Sequence, residues 1–136
     1  MLIKRFEEIK AWQLARSLVR EDYAVCGQGE LAKDFGLKDQ MRRAAGSVMN
    51  NIAEGFDSGS RLEFGRFLRY AQRSTTEVMS QLYIALDQNY LTPTQFAQLR
   101  KLADETHATI GGFIKHLEGK KAGNPTATKT QPGAKS

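Results

Sequence analysis

The residues best suited to chemistry in this sequence are two histidines, one cysteine and an acid beside one histidine. Asp104 precedes His107 by three residues, the spacing found in half of a carboxylate-bridged di-iron motif in a helical bundle. The complete motif needs a second such pair and two more carboxylates, and His116 has no acid three residues before it. We therefore interpret His107 as a structural residue and predict neither a metal nor a cofactor.

Cys26 is the only cysteine, so it can form neither an internal disulfide nor a paired-cysteine zinc site. No basic residue or histidine lies beside it in sequence to lower its pKa, and we interpret it as a small buried hydrophobic residue. Neither a Walker loop nor a GxGxxG pattern is present. We predict no catalytic residues and a protein that is not an enzyme.

Polar side chains run beside the apolar stripes of two neighbouring predicted helices. If residues 57–60 form the turn between them, the helices are antiparallel and Arg43 comes level with Ser74 and Glu77. A pair between Arg43 and Glu77 would compensate both charges where water is scarce. We favour a structural network that fixes helix register, or half of a subunit interface, over a binding or catalytic site. The predicted network comprises Arg43, Ser47, Asn51, Glu54, Ser74 and Glu77.

The net charge of +5 is unevenly distributed along the chain. Four of its units come from lysines beyond Glu118, where no acid offsets them, which leaves 16 basic and 15 acidic residues in 1–118. Within that body, segment 38–73 holds seven basic and four acidic residues, whereas 77–118 is net −2. Only this polarised segment, and not the overall pI of 9.5, supports an argument for a nucleic-acid partner.

Three arginines, Arg66, Arg69 and Arg73, share the face of the predicted third helix opposite its core stripe. They could neutralise phosphates, and a symmetric oligomer would repeat them. Alternatively, they are ordinary solvated residues or pair with acids across a subunit interface. Leu62 and Ile84 also point away from the core, which suits a subunit contact. The predicted nucleic-acid-binding residues are Lys38, Arg42, Arg61, Arg66, Arg69 and Arg73.

Four amphipathic helices must position these side chains, since apolar residues recur at three- and four-residue steps in four segments. The segments are 6–26, whose stripe includes Tyr23, 38–55, 64–86 and 96–117. Thr92, Pro93 and Gln95 have the capping-box arrangement at the start of the fourth helix. We predict an all-α fold, an antiparallel up-down-up-down four-helix bundle over 1–118, followed by a disordered basic tail over 119–136.

Membrane and secretory classes are not indicated. No apolar run approaches the roughly 18 residues of a membrane span, and the N-terminus reaches Glu7 and Glu8 without an apolar core of a signal peptide. We therefore expect a soluble cytoplasmic protein with no membrane partner.

The segment from Gln40 to Gly55, QMRRAAGSVMNNIAEG, resembles the signature of the bacterial four-helix bundle proteins. These are often called 23S rRNA intervening-sequence proteins, because some are encoded within insertions in rRNA genes. The stretches Phe6-Glu7 and Phe64-Gly65-Arg66-Phe67-Leu68 agree as well, and the resemblance covers residues 4–118. The block from Asn51 to Gly55 is its most specific part, and Gly46 departs from the usual pattern of a larger helix former.

This resemblance implies a four-helix bundle that assembles into a ring-like homopentamer. It also implies kinship with the accessory variability determinant proteins of diversity-generating retroelements, which are basic pentamers that bind nucleic acid and a reverse transcriptase. For most members no biochemical activity is established. We expect a non-enzymatic oligomeric protein that binds RNA, DNA or a nucleoprotein partner such as a reverse transcriptase through a basic face. The alternative is a structural or protein–protein interaction scaffold without nucleic-acid binding.

Overall fold

The computed structural model describes residues 2–122, which form four α-helices and two short 3-10 turns without any strand in that range. The helices are α1 (Lys10–Cys26), α2 (Phe35–Asp57), α3 (Arg61–Asp87) and α4 (Pro93–Ala122), and the 3-10 turns are Phe6–Glu8 and Leu31–Lys33. The all-α prediction is confirmed.

Two boundaries differ from the predicted ones. The first predicted helix, 6–26, is interrupted at Ile9, whose backbone is extended (φ −77°, ψ 123°) and whose side chain is buried in the core. The fourth helix continues to Ala122, four residues into the segment predicted as a tail, although Gly119 lies within that stretch. Residues 123–136, the remainder of that predicted tail, lie outside the described residues.

Three of the four helices, α2, α3 and α4, begin at a side chain that accepts a hydrogen bond from a backbone N–H group of the first turn. Asp34 caps α2 and Ser60 caps α3, each accepting at 3.1 Å from the backbone N–H three residues further on. At α4 the predicted capping box is confirmed, since Thr92 Oγ1 accepts from Gln95 N at 3.1 Å and Gln95 Oε1 accepts from Thr92 N at 2.9 Å.

The four helices form a closed ring of contacts in which α1 packs on α2, α2 on α3, α3 on α4 and α4 on α1. Two side-chain links show that α2 and α3 are antiparallel. Gln81 Nε2 donates to the carbonyl of Gln40 at 3.2 Å, and the hydroxyls of Ser47 and Ser74 lie 2.9 Å apart. The step from Gln40 to Ser47 along α2 matches an equal step back from Gln81 to Ser74 along α3. Both links therefore specify the same register for the antiparallel α2–α3 pair.

The core consists of two apolar clusters, one at each end of the bundle. The first includes Leu18, Met41, Leu82 and Leu99, and the second includes Trp12, Ile52, Leu68 and Ile110. Burial of large side chains from all four helices at both ends drives the association of the helices.

A layer of small residues, which we call the waist, lies between the two clusters. On α3 it contains Thr75, between Ala71 and Val78, and on α4 it contains Thr106, between Ala103 and Ile110. Both threonines are fully buried, and each hydroxyl donates to a carbonyl of its own helix at 2.6 or 2.7 Å. The buried hydroxyls are therefore satisfied without help from another helix.

Gly55 lies in the last turn of α2, where that helix packs closely against α3. A Cβ atom at this position would lie 2.6 Å from Phe67 Cβ and 3.0 Å from Phe64 Cδ1. A Cβ–Cβ separation this short does not occur in proteins, and the phenylalanine Cβ atom is fixed by its backbone. Gly55 is therefore required by the approach of α2 to α3.

We predict that Gly55→Ala lowers the free energy of unfolding by about 1 to 3 kcal/mol, because α2 and α3 must move apart. The matched control is Gly46→Ala in the same helix, where no atom lies within 4 Å of the new Cβ. That change should be neutral or stabilise the protein by up to about 1 kcal/mol through helix propensity. Denaturant unfolding measures both, and equal stability of the two variants would contradict the close approach.

Candidate functional site

Three members of the predicted polar network lie together at the α2–α3 interface. Besides the Ser47–Ser74 contact, Asn51 Nδ2 donates to the Ser47 carbonyl at 2.8 Å and to Ser47 Oγ at 2.9 Å. All three side chains are half-buried. Their hydrogen bonds are made within the protein, so this part of the network links two helices and fixes their register.

The predicted pair between Arg43 and Glu77 is wrong. Arg43 Nε donates to Asp39 Oδ2 at 2.8 Å, one turn earlier on α2, and both side chains are well exposed. Glu77 is also exposed and has no ion-pair partner among residues 2–119. Because both charges lie in water, neither needs the other, and the carboxylate on the same helix is nearer to Arg43.

A shallow open groove of about 460 Å³ runs along the outer side of α2 over this network. Its lining residues are Tyr23, Arg42, Arg43, Gly46, Ser47, Asn50, Asn51 and Glu54. Arginines lie at one end and Glu54 lies at the other, twelve residues or about 18 Å along the helix. Opposite charges at its two ends do not suit a continuous polyanion.

A buried carboxyl group, which the sequence analysis missed, lies at the arginine end of this groove. Asp22 is completely buried on α1; its Oδ1 accepts a hydrogen bond from Cys26 Sγ at 3.6 Å, and its Oδ2 has no hydrogen-bond partner. Burial raises the pKa of Asp22 to about 7, against the opposing effects of the Cys26 hydrogen bond and the charge of Arg42. Asp22 interrupts the apolar stripe of α1 four residues after Leu18, which is the sequence signal for a buried acid.

Cys26 is buried, as predicted. Burial and the neighbouring Asp22 raise the pKa of its thiol to about 12. The thiolate is therefore not formed near neutral pH, and this cysteine is not a nucleophile.

Two of the six predicted nucleic-acid-binding residues, Lys38 and Arg42, lie on the α1 side of α2 and are engaged there. Lys38 Nζ donates to the carbonyl of Ala32 at 2.9 Å and lies 4.7 Å from the ring centroid of Phe35. The guanidinium of Arg42 covers the ring of Tyr23 at 4.9 Å. Tyr23, predicted on the core stripe, is instead exposed at the surface beneath this arginine.

The remaining basic residues lie on α3, where two arginines flank an aromatic ring. Arg66 Nη1 donates to both carboxylate oxygens of Glu63, at 2.9 and 2.8 Å, and its Nη2 donates to the hydroxyl of Tyr70 at 3.0 Å. The guanidinium of Arg73 lies 5.5 Å from the Tyr70 ring centroid. Arg73 has no carboxylate partner within the described part of the chain.

Arg69 pairs with Glu118 of α4, and Arg61 is exposed at the first position of α3. In the observed register Arg66 is level with Gly55, which lies 17 residues or about 25 Å along α2 from Lys38. The six predicted residues therefore form two separate groups. We call Arg66, Arg69 and Arg73 the arginine face.

Two apolar side chains lie at the ends of the helix that carries the arginine face. Leu62 is 67% exposed and Ile84 is 48% exposed, in agreement with their predicted outward orientation. Over residues 2–122, no helix is both long and apolar enough to cross a membrane, and no three metal-ligating side chains gather at one place.

We predict that Asp22→Asn stabilises the protein relative to wild type increasingly as the pH rises from 5 to 8. With its pKa near 7 the folded carboxyl keeps a proton that the unfolded one loses above about pH 3.9, so its contribution to stability is full below pH 4 and falls until about pH 7. The difference should approach a few kcal/mol, at most about 4, at pH 8. Thermal unfolding at several pH values measures it.

The matched control is Asp39→Asn, which removes only the exposed pair with Arg43 and should leave stability nearly unchanged from pH 5 to pH 8. A difference between Asp22→Asn and wild type that stays constant from pH 5 to pH 8 would contradict a raised pKa of Asp22.

Comparison with known proteins identifies the family of the chain and a solved structure with a similar fold. No curated protein matches the sequence. A crystal structure of a protein of unknown function from the S23 ribosomal protein family of Bacteroides thetaiotaomicron has the same fold, with a TM-score of 0.70 at 20% identity. The similarity covers 77% of this chain and 98% of that one. The family model described as 23S rRNA-intervening sequence protein matches residues 7–112, and the chain therefore belongs to that family.

Proposed function

We propose that this protein is a non-enzymatic helical bundle that binds nucleic acid electrostatically through the arginine face of α3. The observation that carries the proposal is the clustering of Arg66, Arg69 and Arg73 within two turns on the exposed face of α3, around Tyr70. Lys38 and Arg42 are left out of this interface because each is already engaged on the α1 side of α2.

The ion pairs on this face do not oppose the proposal. Arg66 and Glu63 are each 40% exposed or more, and Arg69 and Glu118 are nearly as exposed. Exposed pairs of this kind contribute about 1 kcal/mol or less, so a phosphate group can replace either carboxylate at small cost. Arg73 needs no such exchange, because no described carboxylate pairs with it.

Oligomerisation would strengthen binding through this face. Three arginines per subunit give a weak contact with phosphates, and a ring of subunits would present the contact several times to one strand. The resemblance predicts a homopentamer and a nucleoprotein partner such as a reverse transcriptase, and both stay predictions. A cytoplasmic location is part of the same proposal.

A second candidate function is a protein–protein interaction scaffold, which the exposure of Leu62 and Ile84 favours. Apolar side chains on an outward helix face are typical of subunit or partner contacts. An interaction of this kind would depend on these two residues rather than on the arginines.

We predict that the double variant Arg66→Glu, Arg73→Glu weakens binding of RNA or DNA at low salt by at least about tenfold. It should also flatten the dependence of log affinity on log salt by about two, because two phosphate contacts are lost. Fluorescence anisotropy with labelled oligonucleotides over a salt series measures both quantities.

The matched control carries the same charge change elsewhere, as Arg20→Glu on α1 with Lys101→Glu on α4, both at exposed positions. It should lose much less affinity than the α3 variant. Equal loss in the two variants would mean that net charge and not the arginine face governs binding. Absence of binding by the folded wild type at low salt would exclude nucleic-acid binding and favour the scaffold.

A further inference from the structure

We infer that the arginine face binds single-stranded nucleic acid in preference to duplex, with Tyr70 as a stacking surface for a base. This inference rests on the proposed nucleic-acid binding and names the kind of strand. A face that only neutralised phosphates would need no aromatic ring, and phosphates are available on single strands and duplexes alike. Tyr70 is 37% exposed in the middle of the three arginines.

The ring of Tyr70 is held in place from the core side. The ring of Phe67 meets it edge-on, with centroids 5.9 Å apart and an interplanar angle of 84°. The Cβ of Phe67 in turn lies against α2 at Gly55. On its outer edge the Tyr70 hydroxyl accepts from Arg66. The ring is therefore oriented before any ligand arrives, which lowers the entropic cost of stacking.

The two flanking arginines leave stacking surface available. Arg66 uses the N–H groups on the edge of its guanidinium for Glu63 and the Tyr70 hydroxyl, so the flat face of the guanidinium is not consumed by these bonds. Arg73 lies over the ring but is held there by no ion pair in the described structure. It can move aside to meet a phosphate while a base occupies its place on the ring.

An aromatic ring between arginines matches the way proteins bind single strands, in which bases stack on aromatic or guanidinium planes and basic groups follow the backbone. Bases inside a duplex are stacked on one another and cannot reach a ring on a convex helix. The tyrosine therefore contributes to binding of a single strand and contributes little to binding of a duplex.

The test compares a labelled single-stranded RNA with a duplex of the same sequence, using wild type, Tyr70→Ala, Tyr70→Phe and Tyr70→Leu in the full chain. We expect wild type to prefer the single strand, and Tyr70→Ala to weaken its binding about five- to 150-fold while duplex binding changes by less than about twofold. Tyr70→Phe keeps the ring and should keep the preference. Tyr70→Leu keeps apolar bulk against Phe67 without a planar ring and should lose it, even if alanine destabilises the fold.

The control variant is Tyr83→Ala, which removes another exposed tyrosine of α3 that also contacts an arginine, Arg100. It lies outside the arginine face and should leave both affinities unchanged. If wild type binds single strand and duplex equally and Tyr70→Leu alters neither, the stacking inference is wrong although the proposed function stands. If the folded wild type binds neither the single strand nor the duplex, both the stacking inference and the proposed function are wrong.

Discussion

The approach of α2 to α3 at Gly55 is the constraint on which the other features of the bundle depend. With hydrogen as its side chain, this residue lets the last turn of α2 contact the backbone-fixed Cβ of Phe67. One contact of this kind defines where the two helices meet but leaves their relative sliding open. The Ser47–Ser74 and Gln81–Gln40 hydrogen bonds, further along the pair, fix the same register by polar means. The signature segment from Gln40 to Gly55 thus combines a steric contact at Gly55 with polar contacts at Gln40 and Ser47.

The same constraint connects the interior with the surface. Phe67 has its Cβ against Gly55 of α2 and its ring against the exposed ring of Tyr70, so a chain of contacts runs from the α2 backbone to the surface of α3. The electrostatics of the surface are organised more loosely. Most ion pairs in the described structure are exposed, and pairs such as Arg43–Asp39 join residues one turn apart on the same helix. Such pairs set the charge distribution of the surface but contribute little to the association of the helices.

Much of the fold was readable from the sequence because its determinants are local. Apolar periodicity located four helices, and the capping box of Thr92 and Gln95 located the start of the last one. The Arg43–Asp39 pair and the buried Asp22 were also readable in principle, from one-turn spacing and from a charge on an apolar stripe. The direction in which Lys38 and Arg42 point could not be predicted from the sequence, since it depends on how α2 is rotated relative to α1. The grouping of Tyr70 with the arginines was partly readable, because all four share one helix, but the support from Phe67 required the tertiary contact.

The waist of the core has a consequence for which substitutions the bundle tolerates. In the two apolar clusters, where Leu18 and Ile110 are fully buried between the helices, a smaller side chain leaves a cavity. At Ala71, Thr75 and Thr106 the helices meet across small residues, so a larger side chain there pushes them apart. The substitutions that the bundle tolerates therefore differ along its axis. The two apolar clusters disfavour smaller side chains, and the waist disfavours larger ones.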